Sequence, residues 1–172
     1  MKSVLKKPLF LRFIEKESGV VDMLSSFSNS FDKKTSEAAK KLMANPPDLE
    51  SFRLDLKDAV SIVIKEGLDE DFSAFVNSYM EDSIEEDLEV EKTSQGQNIS
   101  QTVRVKDEES SWVEGFICYN LCLYIKAFGL ESLKQCKVCS KFFNHKGKYA
   151  IYCSDGCKKQ KRAQETEKTS NI

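Results

Sequence analysis

The chain has 172 residues, 40% apolar and 31% charged, with few glycines and prolines and a net charge of −2. That length supports one modest core with a small appendage, and the composition is that of a soluble globular protein. No run of about 18 apolar residues occurs, which excludes a transmembrane helix, so no membrane partner is expected.

The N-terminal stretch from Met1 to Arg12 is basic, but its apolar run is too short for a signal peptide. A reducing, cytoplasmic compartment is therefore expected, which favours metal-bound over disulfide-bonded cysteines. Leu9, Phe10, Leu11, Phe13 and Ile14 fit either a strand or a helical turn, because periodicity does not settle so short a run. Ser25–Ser30 is small and polar, with Phe27 and Phe31 nearby. A helix is predicted over about Ser36–Met43, ended by Asn45-Pro46-Pro47, since a residue before proline leaves the α region.

Asp48 reads as an N-cap. Leu49, Phe52, Leu56, Ala59, Val60, Val63 and Ile64 then recur at helical spacing until Gly67 closes the helix. Phe72, Phe75, Val76, Tyr79 and Met80 form a second such stripe, read as core. From Ser83 the period changes to two. Ile84, Leu88 and Val90 alternate with Glu85, Asp87, Glu89 and Glu91, and Ile99, Gln101, Val103 and Val105 alternate with polar residues. An antiparallel hairpin with one wet face is predicted. The acidic residues between Glu81 and Glu91 read as its solvated side.

Ser111 and Glu114 form a capping box for the next helix, in which only Asn120 interrupts the apolar character between Phe116 and Ile125. Gly129 sits at its C-cap. A helix this apolar is expected at the centre of the N-terminal domain. Cys118 and Cys122, one turn apart on it, read as small core residues. Asn120 would need hydrogen-bond partners if buried.

Four of the six cysteines fall close together: Cys136-Lys-Val-Cys139 and, after thirteen intervening residues, Cys153-Ser-Asp-Gly-Cys157. A disulfide pair, a redox Cys-x-x-Cys and simple burial are the competing readings. Two close pairs separated by a loop supply the soft tetrahedral set that one structural Zn2+ ion requires. Glu131–Gln135 reads as a short linker. Lys141–Phe143 and Tyr149–Tyr152 read as two strands around a turn in which Gly147 can take positive φ. Ser154 reads as the N-cap of a helix through about Gln164, with Cys157 in its first turn. Phe142, Phe143, Ile151 and Tyr152 are the expected small core. A module of about 35 residues does not fold on its own surface burial, and zinc binding of about 10–16 kcal/mol would supply the deficit.

Four cysteines leave no open coordination position for a catalytic water. His145, the only histidine, is not needed as a ligand. No phosphate loop, nucleophile elbow or His-rich metal site is present, so no catalytic residues are expected and the chain is read as a non-enzyme. Residues 131–172 hold 10 basic and 4 acidic side chains, a balance of +6, against 16 and 24, a balance of −8, in residues 1–130. Four thiolates around a divalent ion would lower the first figure to about +4. A basic module on an acidic body points to an anionic partner. Lys146, Lys148, Lys158, Lys159, Lys161 and Arg162 are the candidate nucleic-acid contacts, suited to phosphates. The competing reading of Lys158–Arg162 is a solvated helix C-terminus, where cations are favoured.

Cys136-x-x-Cys139-x-x-x-Phe143, then Tyr152-Cys153-Ser154 and Cys157 with Lys158-Lys159, resembles the zinc finger of the CGNR family of bacterial proteins. In that family the finger follows an N-terminal α+β domain called ABATE, and its members are described as stress-induced transcription regulators. The resemblance lies in overall layout for most of the chain and in residues over about Cys136–Lys159. The chain departs from the pattern in having Cys157-Lys158-Lys159-Gln160 in place of Cys-Gly-Asn-Arg, and Tyr152 in place of the usual Trp. The four metal ligands carry over; the role of Gly-Asn-Arg does not.

The resulting expectation is an α+β chain in three parts. Residues 1–130 form a mainly helical, ABATE-like domain with an antiparallel β-hairpin. Residues 131–164 form a treble-clef-like zinc finger with four cysteine ligands, and residues 165–172 a disordered tail. The expected function is transcription regulation with nucleic-acid contact through the finger. The alternative is a zinc-stabilised protein-interaction module that binds a protein partner and no nucleic acid. Oligomeric state and target are not specified by the sequence.

Overall fold

The computed structural model describes residues 7–16, 19–27, 31, 33–81, 83–93, 96–105, 112–145 and 150–170. The apolar run near the N-terminus resolves as a helix, α1 (Leu9–Ile14), with Phe10, Leu11, Phe13 and Ile14 all buried. A second short helix, α2 (Val20–Phe27), was not expected. Its signal was nonetheless present: Val20 and Leu24, four apart, are buried. The Asp22 carboxylate accepts the Gly19 N–H at its start. The predicted helix ending at the prolines is α3 (Lys33–Ala44), which buries Thr35, Ala38 and Ala39 on one face.

The two apolar stripes form α4 (Glu50–Glu66) and α5 (Glu70–Met80). Asp48 acts one residue further out than expected. Leu49 occupies the cap position, and the Asp48 carboxylate accepts the Glu50 N–H at 3.0 Å. Asp69 caps α5 by accepting the Phe72 N–H at 2.8 Å. Arg53 is buried just off the α4 stripe, and its guanidinium donates to the Ile14 carbonyl at the end of α1. It is held there by two hydrogen bonds to Glu50, at 2.6 and 2.9 Å, while Lys16 pairs with the same carboxylate at 2.9 Å. The hydrogen bonds from Arg53 and then Lys16 lower the Glu50 pKa to about 2.

The central helix is α6 (Trp112–Phe128), which buries nine residues distributed around its circumference, as its uniform apolar character predicts. Phe10 of α1 packs edge-on against Tyr124, and Phe31 against Phe116. Ser111, the expected N-cap, lies outside the described residues. Asn120 satisfies its side-chain amide within the helix by donating to the Phe116 carbonyl. Gly129 closes α6 with φ +76° and an N–H to the Ile125 carbonyl, a conformation for which only glycine lacks a steric penalty. Gly115 serves a different purpose. A Cβ there would collide with the Tyr79 carbonyl oxygen and with Ser83 Cβ, so the glycine is what lets the end of α5 approach α6.

The predicted hairpin is present as β1 (Ile84–Thr93) and β2 (Gly96–Val105), antiparallel. Its register pairs Ile84 with Val105 and Val90 with Ile99. It lies beside α3 and α6.

The C-terminal segment departs most from expectation. The stretch read as a linker is a strand, β3 (Leu133–Gln135), and pairs antiparallel with β4 (Phe142–Asn144). Residues 150–152 are not a strand. Leu133 and Phe142 are 2% and 1% exposed and belong to the same buried cluster as α1, α4, α5 and α6, so the packing does not break at residue 130. Ile151, expected in a separate finger core, is 41% exposed. The final helix, α7 (Asp155–Ser170), runs six residues past the expected end and through most of the segment read as a disordered tail. No glycine or proline interrupts it there, and a Lys161–Glu165 pair at 3.8 Å bridges the expected end. No helix among the described residues is long and apolar enough to cross a membrane.

Replacing Gly115 with Ala should destabilise the protein by about 1–3 kcal/mol in chemical denaturation. A gain of about 1 kcal/mol from helix propensity alone would contradict the close approach. Because Glu50 titrates below its ordinary range in the fold, its contribution is complete above about pH 4.5 and disappears as pH falls toward 2. Glu50→Gln should therefore lower the melting temperature at pH 7, with the gap to the parent protein closing across that acidic window. A gap independent of pH would contradict the assignment.

Candidate metal centre

The site is built where a strand turns on itself and where a helix begins. Between β3 and β4 the chain makes a tight turn over Cys136–Ser140: the Ser140 N–H reaches the Cys136 carbonyl at 2.9 Å, and the Cys136 N–H reaches the Lys141 carbonyl at 2.9 Å. Ser140 takes φ +58°, which the turn imposes. The second cysteine pair is placed by the start of α7. Ser154 accepts the Cys157 N–H at 3.2 Å, as expected of its N-cap, so Cys157 lies in the first turn. The Lys137 N–H donates to the Ile151 carbonyl, tying the two halves together.

The four sulfur atoms of Cys136, Cys139, Cys153 and Cys157 all lie within 4.8 Å of one another. Sγ of Cys153 is 3.5 Å from that of Cys139 and 3.6 Å from that of Cys157. A disulfide would bring two of them to about 2.05 Å, whereas a tetrahedron with metal–sulfur bonds of about 2.3 Å has edges of about 3.8 Å. The thiols are free and spaced as the edges of such a tetrahedron, and the donor set fits one metal ion.

Electrostatics of the thiols agree with that reading. Burial pushes the Cys136 thiol up, but backbone N–H groups of Cys139, Cys153 and Val138 outweigh it and bring the thiol down to about 6. Burial and the neighbouring thiols push Cys153 up to about 12, and burial also raises Cys139. One thiolate is thus stabilised by the turn itself, and further negative charge beside it is resisted until a cation arrives.

All four predicted ligands come together, and His145 is not among them. Its backbone N–H donates to the Ser132 carbonyl at the base of the hairpin. Cys118 is buried and Cys122 half-buried in α6, with both thiols raised chiefly by burial, and neither belongs to a metal-ligand group among the described residues. Lys158, Lys159 and Arg162 are exposed on α7, and Lys161 is half-buried. Lys146 and Lys148 lie outside the described residues.

The supports of the site are less legible than the ligands. Glu15, at the end of α1, accepts the Phe142 N–H at 2.9 Å across 127 residues of sequence. The Ser132 hydroxyl donates to Tyr124 Oη at 2.8 Å, linking the hairpin to α6. Comparison with protein-family models, with curated proteins and with solved structures returns no match for this chain.

Replacing Cys139 or Cys157 with Ser should weaken metal binding at least about 100-fold in competition with a chromophoric chelator. Cys118→Ala and Cys122→Ala should leave one metal per chain. Loss of metal in either α6 variant would contradict the ligand set.

Proposed function

We propose that the four cysteines hold one structural zinc ion in a treble-clef-like finger, and that the finger presents α7 to nucleic acid. Zinc fits an all-thiolate tetrahedron, and four cysteine ligands leave no position for a reacting water. The metal's role is then to fix the start of α7 relative to the hairpin, and the chain is a binding protein rather than an enzyme.

The observation that carries the nucleic-acid reading is where the cations sit on α7. Had the helix ended near Gln164, Lys158–Arg162 would have been an ordinary basic C-terminus. Because α7 continues to Ser170, these residues fall in its first half rather than in its last turn, out of reach of the C-terminal dipole that favours cations. The dipole of a helix C-terminus therefore does not account for them. At 3.6 residues per turn, Lys158, Lys161 and Arg162 share a face about 100° wide, with Lys159 beside it. Most of α7 from Asp155 to Thr166 is exposed. A rigid helix pinned at one end and offering clustered cations suits phosphate contact. Transcription regulation, as the CGNR resemblance implies, is the role this binding would serve.

Zinc-loaded protein titrated against a labelled duplex of about two helical turns should lose affinity steeply between about 50 and 200 mM salt. For four phosphate contacts the log–log slope is about −3.6. Lys158→Gln combined with Arg162→Gln should make it shallower by about 2 while leaving zinc content unchanged. Absence of salt-dependent binding to duplex DNA and to single-stranded RNA would overturn this reading in favour of a protein-interaction module.

A further inference from the structure

A groove of about 660 Å³ runs between α4 and α5, far in character from the basic finger. Its floor is apolar, formed by Ile62, Val63, Phe72, Phe75 and Tyr79, and Ile62 is 48% exposed. Its rim is acidic, with Asp55, Asp58 and Glu66 on α4 and Asp71 on α5. No Lys or Arg lines it, and no described cation forms an ion pair with any of these four carboxylates. From Asp55 to Glu66 the groove follows α4 for about 16 Å, or three helical turns.

Several occupants are excluded by this chemistry. The carboxylates form no metal-ligand group among the described residues. Nucleic acid and anionic lipid would meet like charge. The basic half of α7 from a second copy offers cations, but Ala163 is the only aliphatic side chain among its residues 158–166, so it cannot fill an aromatic floor.

We infer that this groove is the docking site for a basic amphipathic segment of another protein, a helix of about three turns with large apolar residues on one face and Lys or Arg flanking them. The apolar anchors would lie on Phe72, Phe75 and Tyr79, and the flanking cations would meet Asp55, Asp58, Glu66 and Asp71.

The test uses the full zinc-loaded chain and a fluorescein-labelled peptide of about fourteen residues, with Leu at helical i, i+3 and i+4 spacing and Lys elsewhere. It should bind, and a peptide of equal charge with every Leu replaced by Ser should bind at least about tenfold more weakly. Ile62→Ser, and separately Asp55→Asn with Asp58→Asn, should each weaken binding at least about fivefold. Glu37→Gln with Glu165→Gln, which neutralises acids elsewhere, should change it less than about twofold. Ile62 is exposed, so its variant leaves the core intact, which circular dichroism checks. The inference is overturned if the Leu-free peptide binds as tightly, if the two acidic variants weaken binding equally, or if no binding is seen up to about 1 mM peptide. Self-association of the chain that Ile62→Ser abolishes would also overturn it, because the groove would then serve a second copy.

Discussion

Leu133 and Phe142, one from each strand of the small hairpin, are buried in the same cluster as the helices, and the rest of the C-terminal architecture depends on that burial. Side chains of this size contribute about 1.5–3 kcal/mol each when fully buried. They are joined by directional bonds, from the Phe142 N–H to Glu15 and from Ser132 to Tyr124, which fix the hairpin's position as well as its presence. The turn bearing Cys136 and Cys139 is consequently held by the protein core. The second pair, on the approach to α7, has far less to hold it. A metal ion bridging the pairs would join a part the core already positions to one it does not.

This division of labour separates two kinds of surface. The helical body carries an excess of acid, and its α4–α5 groove combines carboxylates with exposed apolar side chains. Residues 131–172 carry an excess of base. Opposite charges are thus kept in separate segments of one chain.

The sequence discloses the parts whose cause is local. The i, i+4 stripes of α4 and α5, the period-two alternation of β1 and β2, the glycine closing α6 and the spacing of four cysteines each follow from neighbouring residues. What it hides depends on distant ones. Leu133 reads as part of a linker because its partners, β4 and the core, are not adjacent to it in the chain. Ile151 and Tyr152 read as a strand because β-branched and aromatic residues favour strands, yet residues 150–152 join no sheet. Arg53 resembles any surface arginine three residues from a glutamate, and only the fold brings the Ile14 carbonyl to it. The length of α7 is hidden for a different reason: a polar helix with few tertiary contacts has no apolar stripe to mark its extent.

The most direct test of the account is amide hydrogen exchange measured before and after chelation of the metal. If the core holds the hairpin and the metal holds only the helix start, the amides of Phe142 and His145, bonded to Glu15 and Ser132, should stay protected to within about tenfold. Those of Lys137, Cys157 and Lys158, bonded to Ile151 and Ser154, should lose protection. Simultaneous loss across Leu133–Asn144 and α7 would contradict it, showing that the metal, rather than the buried pair of Leu133 and Phe142, organises the whole segment.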